Sequence, residues 1–493
     1  MYLRFVFSKP GISRLVLFLS LAILSACDKQ HSTLAPEFHP SEWNPGGDTS
    51  IPISNKVRLD LPAANLPPAL KTDFHVGKAL AQQPWIKAPT ATDSRDGLGP
   101  VYNARTCMAC HVKGGKGSTP NDPETELFSS LIRLSKPGEH KTAGMIAHPA
   151  YGDQLQTQST SLAHQLRHIP SANNIAKDVK PEAYVTINWV DKLIEYPDGS
   201  SITLKKPIPE FKNLGYGEFG KDTLISLRTA PAIHGMGLIE LIPQQDINAF
   251  IDTNDNNQDG ISGRPNMAWD SVTQTTVPGR FGLKANKATL DLTIAGAFAN
   301  DLGISNPLVK SQPCTEQQTA CLQAATGNDK NGFELNQSQL DRVIFFNQNL
   351  SPVAARNLDK KAVIKGRELF YDTGCQQCHN PSFRTGTSES LPHLANQTIW
   401  PYSDFLLHDM GEGLADHRPD FQASGQEWRT PPLWGVGLRE QVNGSTALLH
   451  DGRANTIEEA ILWHGGEAQK IKQAFMTLNK KDRKKLIRFV ESI

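Results

Sequence analysis

Two copies of the pattern Cys-x-x-Cys-His constrain this chain more than any other feature. The first runs from Cys107 to His111 and the second from Cys375 to His379. Two thiols at this spacing can add to both vinyl groups of a haem, and the adjacent histidine then supplies the proximal ligand to the iron. Zinc would require four nearby ligands, and a redox thiol pair does not require the histidine. The pattern therefore predicts two covalently bound c-type haems, attached through Cys107, Cys110, Cys375 and Cys378.

The N-terminus predicts export. Arg4, Lys9 and Arg14 precede an apolar stretch at 15–24 that is too short to span a bilayer. The stretch ends in Leu-Ser-Ala-Cys27, which resembles the lipobox of bacterial lipoproteins. We predict a signal peptide at 1–26, a lipid-modified Cys27, and a protein anchored on the periplasmic side of the bacterial inner or outer membrane. Ordinary secretion with an unmodified cysteine is the alternative. Residues 27–60 are rich in Pro, Ser and Asn and predict a tether.

The remaining cysteines and the charge balance narrow the class of protein. Cys314 and Cys321 lie in a polar loop, and in an oxidising compartment they predict a local disulfide rather than a catalytic dithiol. Lys and Arg total 50 and Asp and Glu total 50. Without a basic excess, nucleic acid is not an expected partner.

The expected fold is mainly α, with two cytochrome c-type haem domains at 61–345 and 346–493 and an inserted β-rich element around 125–225. Short helical segments at 74–77 and 365–370 precede the two motifs, and 482–493 forms an amphipathic C-terminal helix. In the insertion, β-rich runs flank the turn signal Pro-Asp-Gly-Ser at 197–200. No repeat is apparent beyond the two Cys-x-x-Cys-His motifs.

His464 is the candidate sixth ligand of the second haem. Thr456 and Glu459 form a capping box that starts a helix. This helix places Ile457, Ala460 and Ile461 on one face with His464. A histidine on an apolar face is more often a core residue, but here a haem is the apolar group available to face it.

The segment His450-Asp-Gly-Arg453, followed by Thr-x-x-Glu-Glu-Ala, resembles the second haem domain of bacterial dihaem cytochrome c peroxidases and of the enzyme that matures methylamine dehydrogenase. A closer resemblance, to the dihaem oxidoreductase family, extends from about residue 70 to the end, through 96–111, 228–243, 255–266, 279–282, 406–416, 428–434 and 450–468. It implies that electrons pass from the C-terminal haem to the N-terminal haem, where peroxide is reduced. The implied electron donor is a small cytochrome c, a cupredoxin or a quinol-linked chain. His464 stands where those relatives have Met or Tyr, and two histidine ligands would lower the haem potential.

For the first haem, the resemblance points to Glu240 as the catalytic acid–base residue. Its apolar surroundings would raise the pKa of this carboxyl. A helix-capping glutamate is the alternative. His234 and Met236 could instead bind the iron and close the site. His408 and Met410 are further candidate ligands or a bridge between the haems, and Trp434 is the first residue to test for inter-haem electron transfer.

Asp255, Asn257 and Asp259 resemble the first half of a calcium-binding loop, with oxygen donors at alternate positions before Gly260. The resemblance to dihaem peroxidases also implies a structural Ca²⁺, and an Asx-rich turn is the alternative. Two other functions remain open at this stage. One is a non-catalytic electron-transfer lipoprotein, and the other is a dihaem oxidase or dehydrogenase that acts on an organic or protein substrate.

Overall fold

The computed structural model describes residues 34–91, 95–161 and 179–493. The predicted signal peptide and Cys27 lie outside these residues. In the described part of the chain, every helix is too short or too polar to cross a membrane.

The helices fall into two groups, one around each Cys-x-x-Cys-His motif. In chain order they are α1 (Lys71–Gln82), α2 (Cys107–Cys110), α3 (Met236–Glu240), α4 (Gln244–Asn248), α5 (Leu290–Leu302), α6 (Thr319–Leu322), α7 (Gln337–Gln348), α8 (Lys361–Asp372), α9 (Arg439–Asn443), α10 (Ile457–Trp463), α11 (Gln469–Thr477) and α12 (Lys480–Ser492).

The helix before each motif crosses a later helix at a glycine. In the first half α1 packs on α7, and a Cβ atom on Gly77 would lie 2.0 Å from the carbonyl oxygen of Arg342. In the second half α8 packs on α12, and a Cβ atom on Gly366 would lie 2.0 Å from the carbonyl oxygen of Lys485. Only glycine permits so close an approach of two backbones. The two halves are therefore built on the same helix crossing.

Strands are short and occur throughout the chain. They are β1 (Ile86–Lys87), β2 (Asp96–Leu98), β3 (Val101–Tyr102), β4 (Ser130–His140), β5 (Gly144–Ile146), β6 (Gln158–Ser159), β7 (Tyr184–Glu195), β8 (Ser201–Lys212), β9 (Leu224–Thr229), β10 (Met267–Asp270), β11 (Thr275–Pro278), β12 (Phe383–Arg384), β13 (Thr398–Ile399), β14 (Leu407–Asp409) and β15 (Glu427–Arg429).

The longest strands lie in the segment that was expected to be β-rich. In that segment β5, β4 and β9 form an antiparallel sheet, and β7 pairs with β8 in register from Tyr184 opposite Lys212 to Glu195 opposite Ser201. The open end of this hairpin packs in one hydrophobic core with β4 and β9. Near its turn, Tyr196 and Leu204 pack in the hydrophobic core of the second half.

The expectation of a mainly α fold is wrong. The structure is 28% helical and 20% strand, and its strands form many small sheets. Several of the pairs, such as β12–β13 and β14–β15, have strands of two or three residues. A strand this short cannot show the alternation of apolar and polar residues that identifies a strand in a sequence.

Part of the segment expected to be a tether packs on the second half of the molecule. The buried carboxylate of Glu42 accepts hydrogen bonds from Nε of Arg367 at 2.9 Å and from its terminal nitrogen at 2.8 Å. Ile51 forms a β-bridge with Val353. Elsewhere, Cys314 and Cys321 form a disulfide with an S–S distance of 2.04 Å.

Candidate haem sites

The first motif forms one helical turn that orients its histidine. Thr106 caps this turn, since its Oγ1 accepts a hydrogen bond from the backbone N of Ala109 at 3.0 Å. His111 follows the turn, and its Nδ1 donates to the carbonyl oxygen of Pro231 at 2.6 Å. A histidine whose Nδ1 is held by a carbonyl presents Nε2 to a metal in a fixed orientation.

The second motif has the same arrangement. It begins after Gly374, whose positive φ of 92° starts a 3₁₀ turn at Cys375–Gln377. Nδ1 of His379 donates to the carbonyl oxygen of Tyr402 at 2.9 Å, so Nε2 of this histidine is also available.

The four motif cysteines suit thioether attachment. All four are free and half-buried. Burial raises the pKa of Cys107 and Cys110 to about 12 and that of Cys375 to about 11, so these side chains are neutral thiols. Unpaired thiols beside such a histidine fit a haem better than a zinc ion, because among the described residues no group of three or more His, Cys, Asp or Glu side chains is arranged to hold a metal ion.

His464 lies close to His379. It follows the last residue of α10, and its Nδ1 donates to the carbonyl oxygen of Ala460 at 2.6 Å. Burial, with a smaller contribution from the neighbouring His379, lowers the pKa of His464 to about 4. The second motif therefore has two neutral histidines, each with Nδ1 held by a carbonyl, as two axial ligands of one haem require.

Two cations near the first motif, the buried Lys116 and the half-buried Arg439, form no ion pair with a carboxylate among the described residues. Lys116 is 6% exposed and its Nζ has no hydrogen-bond partner among the described residues. Burial and then the charge of Arg439 lower the pKa of Lys116 to about 7, and burial lowers that of Arg439 to about 10. Unpaired buried cations are costly. Haem propionates are anions that would pair with them, so these residues fit a haem.

Main-chain hydrogen bonds hold Asp301 beside the first motif. It lies in the last turn of α5, and its carbonyl oxygen accepts from the backbone N atoms of Asn103 at 2.8 Å and Ala104 at 3.0 Å, just before Cys107. Its charge raises the pKa of both Cys107 and Cys110. Burial raises the pKa of Asp301 itself to about 6. A carboxyl that titrates near neutrality can both accept and donate a proton.

A buried glutamine links Asp301 to a guanidinium group. Gln154 donates from Nε2 to the Asp301 carboxylate at 2.7 Å, and its Oε1 accepts from a terminal nitrogen of Arg133 at 3.3 Å. The other terminal nitrogen of Arg133 donates to Asp153 at 2.5 Å. We call Arg133, Gln154 and Asp301 the polar triad. Sequence reasoning missed it, although an acidic residue in the last turn of an apolar helix, where the helix dipole disfavours it, is a usable signal.

A comparison with family models matches residues 44–493 to the family described as "Di-haem oxidoreductase, putative peroxidase". The match covers nearly the whole chain. The chain belongs to this family. A search among curated proteins found no relative. The family implies two haems, in agreement with the two motifs and with the donor sets around them.

In this dihaem oxidoreductase, the Glu240 carboxylate has structural partners. Oε1 accepts from the backbone N of Leu290, the first residue of α5, at 3.1 Å. Oε2 accepts from Nε2 of Gln348, the last residue of α7, at 2.9 Å. Burial raises the pKa of Glu240, as expected from its sequence context. These contacts are those of a helix-capping residue, and a catalytic role for Glu240 stays a prediction.

His234 lies on the same segment as the carbonyl that holds His111. The backbone N of Ile233 donates to the carbonyl oxygen of Gly114 at 3.1 Å. His234 is 3% exposed, and its Nε2 lies 3.2 Å from the carbonyl oxygen of Trp434. The segment that carries His234 therefore supports the proximal histidine, and Met236 beside it packs in the core of the first half.

Both ring nitrogens of His408 are occupied. Nε2 lies 2.8 Å from Asp404 and Nδ1 lies 2.6 Å from Glu467, while Sγ of Cys378 is 3.8 Å from Nδ1. Asp404 first, and then Cys378, keep the pKa of His408 well above its usual value despite burial. His408 thus positions the second motif and has no free nitrogen for iron. Met410 packs against the core of the second half.

The predicted calcium residues lie on a turn closed by its own backbone. Asp255 accepts from the N of Gly260 at 3.1 Å, Asn257 from the N of Asp259 at 2.9 Å, and Asp259 from the N of Ile261 at 2.8 Å. In the part of the chain that the structure describes, no group of three or more His, Cys, Asp or Glu side chains is arranged to hold a metal ion. Calcium stays a prediction.

Proposed function

We propose that this dihaem oxidoreductase reduces peroxide at the first motif with electrons received through the second. The difference between the two sites carries the proposal. The second motif has His464 beside His379, so two histidine nitrogens would be available to hold a haem there. The first motif has His111 on one side and the polar triad nearby. A saturated haem suits electron transfer, whereas a haem beside a proton-transferring carboxyl suits chemistry.

When bound, the haems supply one-electron redox chemistry. The protein supplies the protons. Reduction of one peroxide molecule breaks its O–O bond, consumes two electrons and two protons, and releases two water molecules. Asp301 accepts a proton from one peroxide oxygen and donates it to the other, which leaves as water, while Gln154 orients the carboxylate and Arg133 stabilises the negative charge that develops on oxygen. Glu240 is the second candidate for this role. To act there, its carboxylate would have to leave the backbone N of Leu290 at the start of α5.

We also propose how the haems are attached, where the protein is located and what donates its electrons. The four motif thiols form thioethers with two haems, and lipid on Cys27 anchors the protein on the periplasmic side of a bacterial membrane, where such attachment occurs. A small cytochrome c, a cupredoxin or a quinol-linked chain donates electrons singly to the second haem. The free thiols and the Nδ1-held histidines support the haem attachment.

Peroxide turnover by acid–base variants tests this function. With a reduced c-type cytochrome as donor, Asp301→Asn should lower kcat by about 100-fold or more, the usual contribution of a positioned acid–base group. Asp291→Asn, in the first turn of the same helix, is the matched control and should retain activity. Glu240→Gln in parallel tests the second candidate. Full turnover by Asp301→Asn at normal haem content would overturn the role of Asp301, and absence of turnover by the wild-type protein would overturn the function.

A further inference from the structure

A continuous series of bonds joins the two proximal histidines. From the first motif, Nδ1 of His111 donates to the carbonyl oxygen of Pro231 at 2.6 Å. The main chain then runs from Pro231 to His234. Nε2 of His234 lies 3.2 Å from the carbonyl oxygen of Trp434, where the path enters the second half of the molecule.

The path continues to the second motif without a gap. Leu433 precedes Trp434, and its backbone N donates to the carbonyl oxygen of Pro401 at 2.8 Å. Pro401 is covalently joined to Tyr402, whose carbonyl oxygen accepts from Nδ1 of His379 at 2.9 Å. Four hydrogen bonds and three short stretches of main chain thus connect His111 to His379. We call this series the proximal path.

The two halves meet at the middle of this path through equivalent segments. Arg-Thr-Ala-Pro-Ala-Ile-His-Gly-Met-Gly-Leu at 228–238 matches Arg-Thr-Pro-Pro-Leu-Trp-Gly-Val-Gly-Leu at 429–438 after one gap. In this match His234 corresponds to Trp434 and Gly235 to Gly435. Both glycines have positive φ, 77° and 69°.

The contacts across the junction are reciprocal. A Cβ atom on Gly235 would lie 2.3 Å from the Trp434 ring, and one on Gly435 would lie 3.3 Å from Nε2 of His234. Each glycine therefore makes room for the ring of the opposite half. His234 and Trp434 are almost fully buried, so water does not compete for the hydrogen bond that joins them.

We propose that the proximal path is the route by which single electrons pass between the two haem sites, with His234 as the positioning residue that joins its halves. This rests on the proposed transfer between the haems. One electron leaves the second site and one reaches the first, and no bond is formed or broken. Hydrogen bonds in a buried chain polarise one another, so each proximal ligand is electronically coupled to the next bond in the path.

A second contact between the halves provides the competing route. The rings of Trp428 and His450 stack at 3.7 Å with an interplanar angle of 9°. The carbonyl oxygen of His450 accepts from the backbone N of Thr229 at 2.8 Å, at the end of β9 in the first half. This contact does not include a hydrogen bond to either proximal histidine, and we therefore favour the proximal path.

The test measures electron transfer within the haem-loaded protein in the absence of peroxide. Half-reduced protein is prepared by rapid mixing, and the redox state of each haem is followed by its own absorption. His234→Leu removes the central hydrogen bond and should slow transfer by about tenfold or more, whereas His234→Gln keeps an N–H donor and should restore most of the rate. His148→Leu is the matched control, since His148 is also buried and bonded to a carbonyl oxygen, that of Phe219 at 3.0 Å.

Variants of the two tryptophans and a second variant of His234 distinguish the proximal path from the competing route. Trp434→Phe keeps the carbonyl oxygen on the path and should leave the rate close to that of the wild type. An unchanged rate in His234→Leu, or slowing by Trp428→Phe or Trp434→Phe alone, would overturn the proposal. If His234→Leu does not fold, His234→Asn, whose amide is too short to reach the carbonyl, replaces it with the same expectation. Since peroxide is absent, failure of the path is distinguishable from failure of peroxidase activity.

Discussion

At the scale of single residues, one hydrogen bond recurs at the three histidines that we propose as haem ligands. His111, His379 and His464 each donate from Nδ1 to a backbone carbonyl oxygen, at 2.6, 2.9 and 2.6 Å. The bond fixes the tautomer and the orientation of each ring. The haem sites are therefore organised by the protein backbone.

Replacement of His464 tests whether it is an axial ligand. His464→Met exchanges a nitrogen donor for a thioether, which should raise the reduction potential of the second haem, measured by a spectroelectrochemical titration. His75→Met, on the exposed face of α1, should leave both potentials unchanged. An unchanged low potential in His464→Met would show that His464 does not bind this iron.

Local spacing explains which site residues could be predicted from the sequence. The thiols, both proximal histidines and His464 lie in short patterns whose spacing has a chemical meaning. Asp301, Gln154 and Arg133 come from α5, a loop and β4, so no spacing along the chain indicates that they meet. Glu240 shows the reverse case. Its apolar context indicated burial correctly, but burial alone does not distinguish a catalytic carboxyl from a helix cap.

At the scale of secondary-structure elements, the crossing of α8 over α12 depends on Gly366. Gly366→Ala should destabilise the protein by about 1–3 kcal/mol through overpacking, although alanine is the better helix former. Gly296→Ala in α5 is the matched control. Its Cβ would meet only the end of the Lys287 side chain at 3.7 Å, so stability should stay equal or rise. Urea unfolding checks both, and equal stability of the two variants would contradict the close crossing.

The same elements show why the fold could be predicted only in part. The helices at 74–77 and 365–370 were expected, and they lie within α1 and α8. The relation between the halves was not found because strands β4 to β9 separate corresponding segments, and the segments at 228–238 and 429–438 differ in length by one residue. The helix content was overestimated because strands of two to four residues are set by tertiary contacts and not by a local pattern.

At the scale of the whole molecule, buried ionisable groups join the halves. Arg228 on β9 pairs with Asp420 at 3.0 Å, and Lys284 pairs with Asp416 at 2.9 Å. Although burial opposes ionisation, the neighbouring cations keep the pKa of both carboxyls below the usual value. Burial also lowers the pKa of His450 to about 3 and that of His234 to about 4.

These shifts predict loss of stability in acid. Both histidines have folded-state pKa values below the unfolded value of 6.5, so the unfolded state binds protons more readily at these two sites, and their contribution to the free energy of unfolding falls as pH decreases from 6.5 to about 4. The carboxylates add a further loss below pH 3.8. Urea midpoints should fall from pH 6.5 to 4, with a smaller fall in His450→Gln. A constant midpoint across the acid range would contradict the neutral buried histidines.

The difference between the two haem sites is tested most directly by an electron paramagnetic resonance and visible-absorption titration of the haem-loaded protein, with and without peroxide. We expect one low-spin haem with two histidine ligands and one high-spin or labile haem whose spectrum changes on addition of peroxide. Two low-spin, six-coordinate haems in every redox state, neither of them responding to peroxide, would contradict catalysis at the first motif and would leave an electron carrier.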